Sequence, residues 1–376
     1  MYIAIVVRIL WPGGVQRTAF AEADGLGKLG HDVDLIFIRD TERVLSESTI
    51  NFRILNNKSV QKRFLNKILH LITRQYAPER GKDATIDLDL IWKFEKNRHR
   101  YDIVIYFDEF AAFFSKKGKI LNNDQNFVVI HEVHDKSKLW SWIIKRSLSS
   151  ASGVITNSED NANLVKKYYG KESVVLRPGL KYVGATSRFE ERENIAISVT
   201  MWDYGRHPET LLEIAKNLSH GKILLVGSWA DYEYMASFKK LIVKLDLGSK
   251  IGVTGDLSEE NLKQLYNSAK VFIRFGYNEK GPGMGSMEAL SYGIPLIIND
   301  GIGIKEIFCE GHSGFKFDEE RSSEVSDKID ELFTNRTLWD QISNYNVELS
   351  KGYTWDKHCK ALSDAMSRLR MTRTYD

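Results

Sequence analysis

The residues best suited to chemistry lie in one stretch, 275–299, which reads FGYNEKGPGMGSMEALSYGIPLIIN. Gly281, Gly283 and Gly285 stand at alternate positions ahead of a helix-forming run over 286–292. Gly293 is placed to end that run in a left-handed conformation, and Pro295 opens an apolar strand over 296–298. A glycine-rich turn feeding a helix gathers unpaired backbone N–H groups and the positive end of the helix dipole at one spot. Such a spot suits a phosphate or another anion. Glu288, expected in the first turn of the helix, is the only carboxylate between Gly281 and Ile298. It either serves a ligand held at the turn or merely complements the dipole, which is worth roughly 0.3–1 kcal/mol.

Other candidates sit where strands should end. An apolar strand over 3–7 is broken by Pro12-Gly13-Gly14 from an amphipathic segment over 15–29; Gly30 caps that segment and a second buried strand follows at 33–38. This βαβ opening lacks the Gly-x-Gly-x-x-Gly fingerprint, which disfavours nicotinamide or flavin. Gly13 and Gly14 either let the backbone approach a ligand at the strand edge or simply make a tight turn. His131 follows the strand over 127–130, where an imidazole can act as a base or hydrogen-bond an acceptor hydroxyl. With His134 it has i, i+3 spacing, but no third ligand accompanies the pair, so zinc is disfavoured. Arg206, in the loop after a strand over 195–200, either clamps a phosphate or is a solvated loop charge.

These residues need a frame. Strand patterns at 103–107, 127–130, 153–156 and 174–176 alternate with helical ones such as 139–148 and 159–169, and a second alternating half runs from 195 to 317. Alternation of this kind predicts an α/β fold of two doubly wound, parallel-sheet domains facing a ligand cleft. The expected bounds are 1–180, a polar linker over 181–194, and 195–354, with a last helix over 355–370.

A chain of 376 residues exceeds what one core comfortably fills. The 43% hydrophobic and 27% charged content is that of an ordinary globular protein, and a net charge of +3 is too small to imply nucleic acid. Cys309 and Cys359 have neither metal nor disulfide spacing, which fits a reducing compartment. The apolar run at 3–7 has no basic region ahead of it and is too short for a signal peptide, and no stretch reaches 18 apolar residues. A cytoplasmic location follows as an expectation. Residues 58–82 form a basic amphipathic pattern, with seven Lys or Arg against one acid, Glu79. Such a helix either packs on its own domain with its charges solvated or lies on an anionic membrane surface, here the inner face.

Taken in order, these pieces resemble a known family, the GT-B glycosyltransferases, and among them the retaining family 4 type. The likeness runs through PGGVQR at 12–17, IHE at 130–132, ASGVITNS at 151–158, RPG at 177–179, Thr254-Gly255, the stretch 281–295 ending EALSYGIP, and YTWD at 353–356. It implies a nucleotide-diphosphate sugar as donor, a hydroxyl of a glycan, lipid-linked or small-molecule acceptor, and neither metal nor cofactor. The backbone at Gly281, Gly283, Met284 and Gly285 would then hold the donor diphosphate, and Glu288 the ribose hydroxyls. Arg206 takes a place the family usually gives to Lys, neutralising the diphosphate as it leaves. Gly14 would approach the diphosphate or acceptor, and His131 the donor sugar or acceptor near the reacting carbon. The last helix would cross back to the first domain.

Two departures from the pattern stand out. Seven residues usually separate Glu288 from an earlier Glu, and that position is Lys280, with Glu279 beside it. Glu279 is the expected sugar contact if the loop is shifted by one, and Lys280 otherwise. The family's Arg five residues before Arg206 is Met201 here, which leaves Arg206 with Arg17 or Lys305 to balance the diphosphate. The same departures suit a second reading, a catalytically silent nucleotide-sugar-binding partner subunit; an epimerase or phosphorylase on the same architecture is a third.

Overall fold

In a computed structural model, the described residues are 1–10, 13–40, 52–55, 94, 98–107, 125–131, 133, 138–184 and 187–371. The basic segment 58–82 lies outside them, as do Pro12, Glu132, His134 and Asp135. The chain divides into two compact units, Met1–Gly179 together with Trp355–Asp376, and Leu180–Thr354.

The first unit opens with β1 (Tyr2–Leu10), α1 (Gly14–Lys28) and β2 (Asp32–Asp40), followed by β3 (Phe52–Ile54), β4 (Ile103–Tyr106) and β5 (Gln125–Ile130). Then come α2 (Lys138–Ser150), β6 (Gly153–Thr156), α3 (Glu159–Tyr169) and β7 (Val174–Val175). Among the described residues the sheet order is β3-β2-β1-β4-β5-β6-β7, with every pairing parallel. Ile5 lies beside Leu35 on one side and Ile105 on the other. Parallel strands covered on both faces read as unbroken apolar runs, because alternate residues feed different layers. Ala4, Val6, Val104 and Val128 enter one core layer, and Ile3, Ile5, Ile105 and Phe127 the other.

The second unit repeats the plan. It runs β8 (Glu193–Val199), α4 (Glu209–Asn217), β9 (Lys222–Val226), α5 (Tyr232–Lys244), β10 (Ile251–Gly255), α6 (Glu259–Ser268) and β11 (Ala269–Arg274). After these come α7 (Met284–Ser291), β12 (Leu296–Ile298), β13 (Gly314–Lys316), α8 (Ser322–Thr334) and α9 (Arg336–Ser350). The sheet order is β10-β9-β8-β11-β12-β13, again parallel throughout. Chain order reverses direction between β8 and β11, and in an open α/β sheet the crevice at the carboxyl ends of such strands is the natural ligand site.

The linker expected over 181–194 is not a free connection. Residues 180–194 belong to the second unit. Arg192 is buried there and donates to the carbonyls of Tyr266, Ala269 and Tyr292 at 2.9, 2.6 and 2.8 Å, with its guanidinium 4.9 Å from the Trp339 ring centre. Lys181, Arg188, Glu190, Glu191 and Glu193 of the segment stay exposed, so it is the buried Arg192 that ties this otherwise solvated stretch to the second unit.

The last helix, α10 (Trp355–Met371), belongs to the first unit, where Leu362 and Met366 enter the core layer that holds Ala19, Ala23 and Leu26 of α1. His358 of this helix is buried and lies 2.9 Å by Nε2 from Glu22 Oε1, and 2.7 Å by Nδ1 from the Arg177 carbonyl. A carbonyl only accepts, so Nδ1 carries a proton. Nε2 facing the Glu22 carboxyl favours the doubly protonated ring. Burial alone would lower the His358 pKa, but the hydrogen bond to Glu22, its charge and the Arg177 carbonyl together raise it.

Candidate active site

At the β8–β11 switch point the loops after the two strands are tied together. Val199, the last residue of β8, lies so close to α7 that a Cβ on Gly285 would fall 2.6 Å from the Val199 carbonyl oxygen. Glycine at 285 therefore lets the helix approach the strand end. Beyond β8 the chain makes a 3₁₀ turn, Tyr204–Arg206, whose Arg206 N–H donates to the Asp203 carbonyl at 3.0 Å. The Arg206 side chain forms an ion pair with Oε1 of Glu279, in the loop after β11. Arg274, the last residue of β11, pairs with the same oxygen and also donates to the Phe275 carbonyl.

Burial differs along this chain of charges. The Arg274 side chain is 3% exposed, Glu279 16% and Arg206 26%. Burial pulls the Arg274 pKa down to about 10, against the charge of Glu279, so the guanidinium stays charged at neutral pH. The backbone holds Glu279 as well: its N–H donates to the Gly301 carbonyl at 2.8 Å, and Asn299 bridges Gly276 and Gly301 with bonds of 3.0, 3.1 and 3.2 Å.

Helix α7 begins at Met284, two residues earlier than its sequence suggests, with Gly283 as the preceding residue at φ 71°. That left-handed conformation is open to glycine at little cost. The first intrahelical bond runs from Met287 N–H to the Gly283 carbonyl, so the amides of Met284, Gly285 and Ser286 have no intrahelical acceptor. The early start corrects the placing of Glu288, which lies in the second turn and not the first. Dipole stabilisation fades within one turn, so complementing it is not the main use of this carboxylate. Glu288 is half-buried and receives the Tyr266 hydroxyl on Oε2 at 3.0 Å; the same hydroxyl lies 3.2 Å from the Gly285 carbonyl. Tyr266 in turn stacks on Tyr292 with ring centres 5.1 Å apart and planes 8° from parallel.

The remaining candidates divide between the units. Lys280 is half-buried in the same loop as Glu279, and Gly281 follows it with its carbonyl 2.4 Å from where a Gly303 Cβ would stand. Lys305, in the 3₁₀ turn Gly303–Glu306, donates to the Asp300 carbonyl at 3.2 Å. Met201 is 39% exposed. Gly14 and Arg17 lie on α1 in the first unit, where Gly14 begins the helix and its carbonyl accepts from the Thr18 hydroxyl at 3.0 Å.

His131 stands in the bend directly after β5. Buried Asn161 shapes that bend, donating to the His131 carbonyl at 2.9 Å and accepting from Val133 N–H at 3.0 Å. The His131 Nε2 is shielded from solvent with no hydrogen-bond partner among the described residues. Its pKa is pushed down to about 4 by burial and by the charge of His358, so the ring is neutral at pH 7.

Sequence reading missed Arg274, Tyr266, Asn161 and Asn299. Arg274 left a signal, a charge closing the apolar run AKVFIRF; the other three are polar residues in ordinary helix or turn contexts and left none. An open groove of about 410 Å³ beside Arg206 is lined by His207, Tyr277 and four carboxylates, Glu209, Glu213, Glu319 and Glu320. Its charge disfavours an anion. Among the described residues no three His, Cys, Asp or Glu side chains are placed to share a metal, and no helix is long and apolar enough to cross a membrane.

Comparison with known proteins gives matches over both halves. The model of Glycosyltransferase Family 4 matches residues 12–181, and that of Glycosyl transferases group 1 matches 185–348. An uncharacterised glycosyltransferase of Methanocaldococcus jannaschii is 23% identical over 248 residues, which is 64% of this chain and 68% of that protein. A probable sucrose-phosphate synthase of Oryza sativa is 22% identical over 180 residues, 47% of this chain; the match spans only 17% of that longer protein. Among solved structures, Anabaena HepE in complex with UDP and glucose superposes with a TM-score of 0.79 at 16% identity, covering 98% of this chain and 100% of that one. Sucrose-phosphate synthase of Thermosynechococcus elongatus gives 0.75 at 16% identity, covering 99% and 100%.

Proposed function

Because this chain belongs to the group 1 and family 4 glycosyltransferases, with the GT-B fold, we propose that it moves a sugar from a nucleotide-diphosphate donor to an acceptor hydroxyl with retention of anomeric configuration. One observation carries the assignment of the donor site. The β8–β11 switch point joins the amide-bearing start of α7, the Arg206 guanidinium and a carboxylate, Glu288, held by Tyr266. A nucleotide diphosphate needs those three things: N–H donors and a cation for the phosphates, and an acceptor of two adjacent ribose hydroxyls.

The chemistry follows from charge. As the bond from the anomeric carbon to the diphosphate breaks, negative charge grows on the leaving oxygen. Fixed amides and a guanidinium aimed at that oxygen lower the barrier because they need little reorganisation. On this reading the amides of Gly281, Gly283, Met284 and Gly285 and the Arg206 side chain take the diphosphate without a metal. The contacts of Glu279 with both arginines run through Oε1, and on this reading its carboxylate also accepts from a donor sugar hydroxyl, with Lys280 beside it. In the first unit, Gly14 serves the diphosphate or acceptor and His131 the donor sugar or acceptor, with its pKa of about 4 making the imidazole a neutral hydrogen-bonding group and not a general base at pH 7. The acceptor is a glycan, a lipid-linked sugar or a small molecule.

A thermal-shift screen of nucleoside diphosphates and their sugars tests the donor reading, since a ligand of the folded state raises the melting temperature by mass action. One of them must stabilise the protein, and loss of that shift together with a fall in turnover of roughly a hundredfold or more is expected for both Glu288→Ala and Arg206→Ala. Near-normal turnover in both variants sinks the assignment. Met201 puts no charge where the family has one, which is the observation favouring a silent partner subunit; stabilisation by donors with neither transfer nor donor hydrolysis would select that reading.

A further inference from the structure

Glu279 has two cations on one oxygen, and they differ in kind. Arg206 reaches it from the loop after β8 and remains a quarter exposed. Arg274 reaches it from the end of a core strand, where burial and the bond to the Phe275 carbonyl leave the side chain no other place to go. If Arg206 were the sole partner, turning it toward a diphosphate would strand a mostly buried carboxylate. Removing one member of a buried pair is strongly unfavourable because the survivor's charge is left uncompensated. With Arg274 in place, Glu279 stays paired whichever way Arg206 points.

We propose that Arg274 is a positioning residue for donor binding: it holds Glu279 compensated, so that Arg206 can be shared with, or given up to, the donor diphosphate. This rests on the donor-site reading above and extends it to a residue that need not touch the substrate. It also accounts for how the chain manages with Met201. The second cation near the diphosphate comes from the neighbouring strand and acts through Glu279, which lies between the two arginines. The Arg206–Glu279–Arg274 group itself carries a net charge of +1, with Asp203 of the Arg206 loop also within electrostatic reach of Arg274.

The test is a double-mutant cycle read by calorimetric titration with UDP, GDP, ADP, CDP and TDP. Arg274→Met should weaken binding of whichever diphosphate the parent binds by about tenfold or more, because Arg206 becomes the sole counterion of Glu279. Arg274→Lys should recover most of that loss. The decisive variant is Arg274→Met with Glu279→Gln, in which no carboxylate competes for Arg206. It should bind the diphosphate better than Arg274→Met alone, and by a larger factor than Glu279→Gln alone gains over the parent, because removing a carboxylate near an anion raises affinity by itself and only the excess reports that Arg274 frees Arg206. Circular dichroism melts of the single and double variants identify any that have not folded, and the Arg274→Lys comparison then decides. Parental affinity in Arg274→Met, or no recovery in the double variant, overturns the proposal while leaving the donor site intact. A parent that binds none of the five diphosphates overturns the donor reading, and this inference with it.

Discussion

Tyr266 donates its hydroxyl to Glu288 Oε2 across 3.0 Å, from helix α6 to helix α7, and so fixes a carboxylate whose own helix leaves it only half-buried. A neutral-to-charged hydrogen bond of this kind is worth about 1.5–3 kcal/mol. Tyr266→Phe keeps the ring stacked on Tyr292 and removes only the hydroxyl. Donor KM should rise by roughly tenfold, with a smaller change in kcat, if Glu288 grips the part of the donor that does not react. Initial-rate kinetics over donor concentration check this; an unchanged KM would mean that the tyrosine does not orient Glu288.

Glu279 and Lys280 compete for the role of sugar contact. With Glu279 anchored by its N–H and both arginines, Glu279→Ala is expected to lower transfer more than Lys280→Ala does. The reverse ranking, measured side by side on one donor, would hand the sugar to Lys280.

Two histidines of the first unit should tilt its stability in opposite directions with pH. The folded pKa of His358 lies above the ordinary 6.5, so the folded chain binds more protons there than the unfolded one. Its contribution is complete below 6.5 and is lost as pH rises through the raised value. His131 has a folded pKa of about 4, so between 6.5 and 4 the unfolded chain binds more protons and stability falls as pH drops. Thermal melts across this range should show both slopes. Glu22→Gln should flatten the alkaline one, and His131→Asn the acid one.

Arg192 offers a stability test without a functional role. Its guanidinium bonds three carbonyls that are otherwise buried, and Arg192→Leu fills part of the volume but leaves them unpaired. A loss of about 3 kcal/mol is expected from unsatisfied buried acceptors. Urea denaturation of parent and variant measures it, and a loss within 0.5 kcal/mol, the roughly neutral range of surface changes, would contradict the anchoring role.

The basic segment 58–82 is tested by liposomes. If it lies on an anionic surface, co-sedimentation with phosphatidylserine vesicles should be largely lost when Lys62, Arg63 and Lys67 are reversed to Glu, and should weaken with salt. Binding that survives the reversal removes the membrane reading.

Periodicity and punctuation determined much of this protein before any coordinates. Apolar runs such as IAIVV at 3–7 and LII at 296–298, bounded by turn residues, read as strands buried on both faces, and their alternation with amphipathic segments points to parallel, doubly wound sheets. The glycine-rich turn before Glu288 was equally legible, since backbone conformation and the lack of a side chain are properties of the residue itself. What tertiary structure decided is which charge meets which. Arg206, Arg274 and Glu279 are separated by 68 and 5 positions and meet because β8 and β11 are neighbours in the sheet, a pairing set by crossover topology and not by spacing. The same holds for Tyr266 with Glu288 and for Arg192, whose three carbonyl partners lie 74, 77 and 100 positions away. Local sequence dictates backbone form, whereas the partner of a charge depends on long-range packing. The stretch 275–299 therefore carried the glycine-rich turn and Glu288 in its own sequence, and the folded chain brought Arg206 and Arg274 to Glu279 beside them.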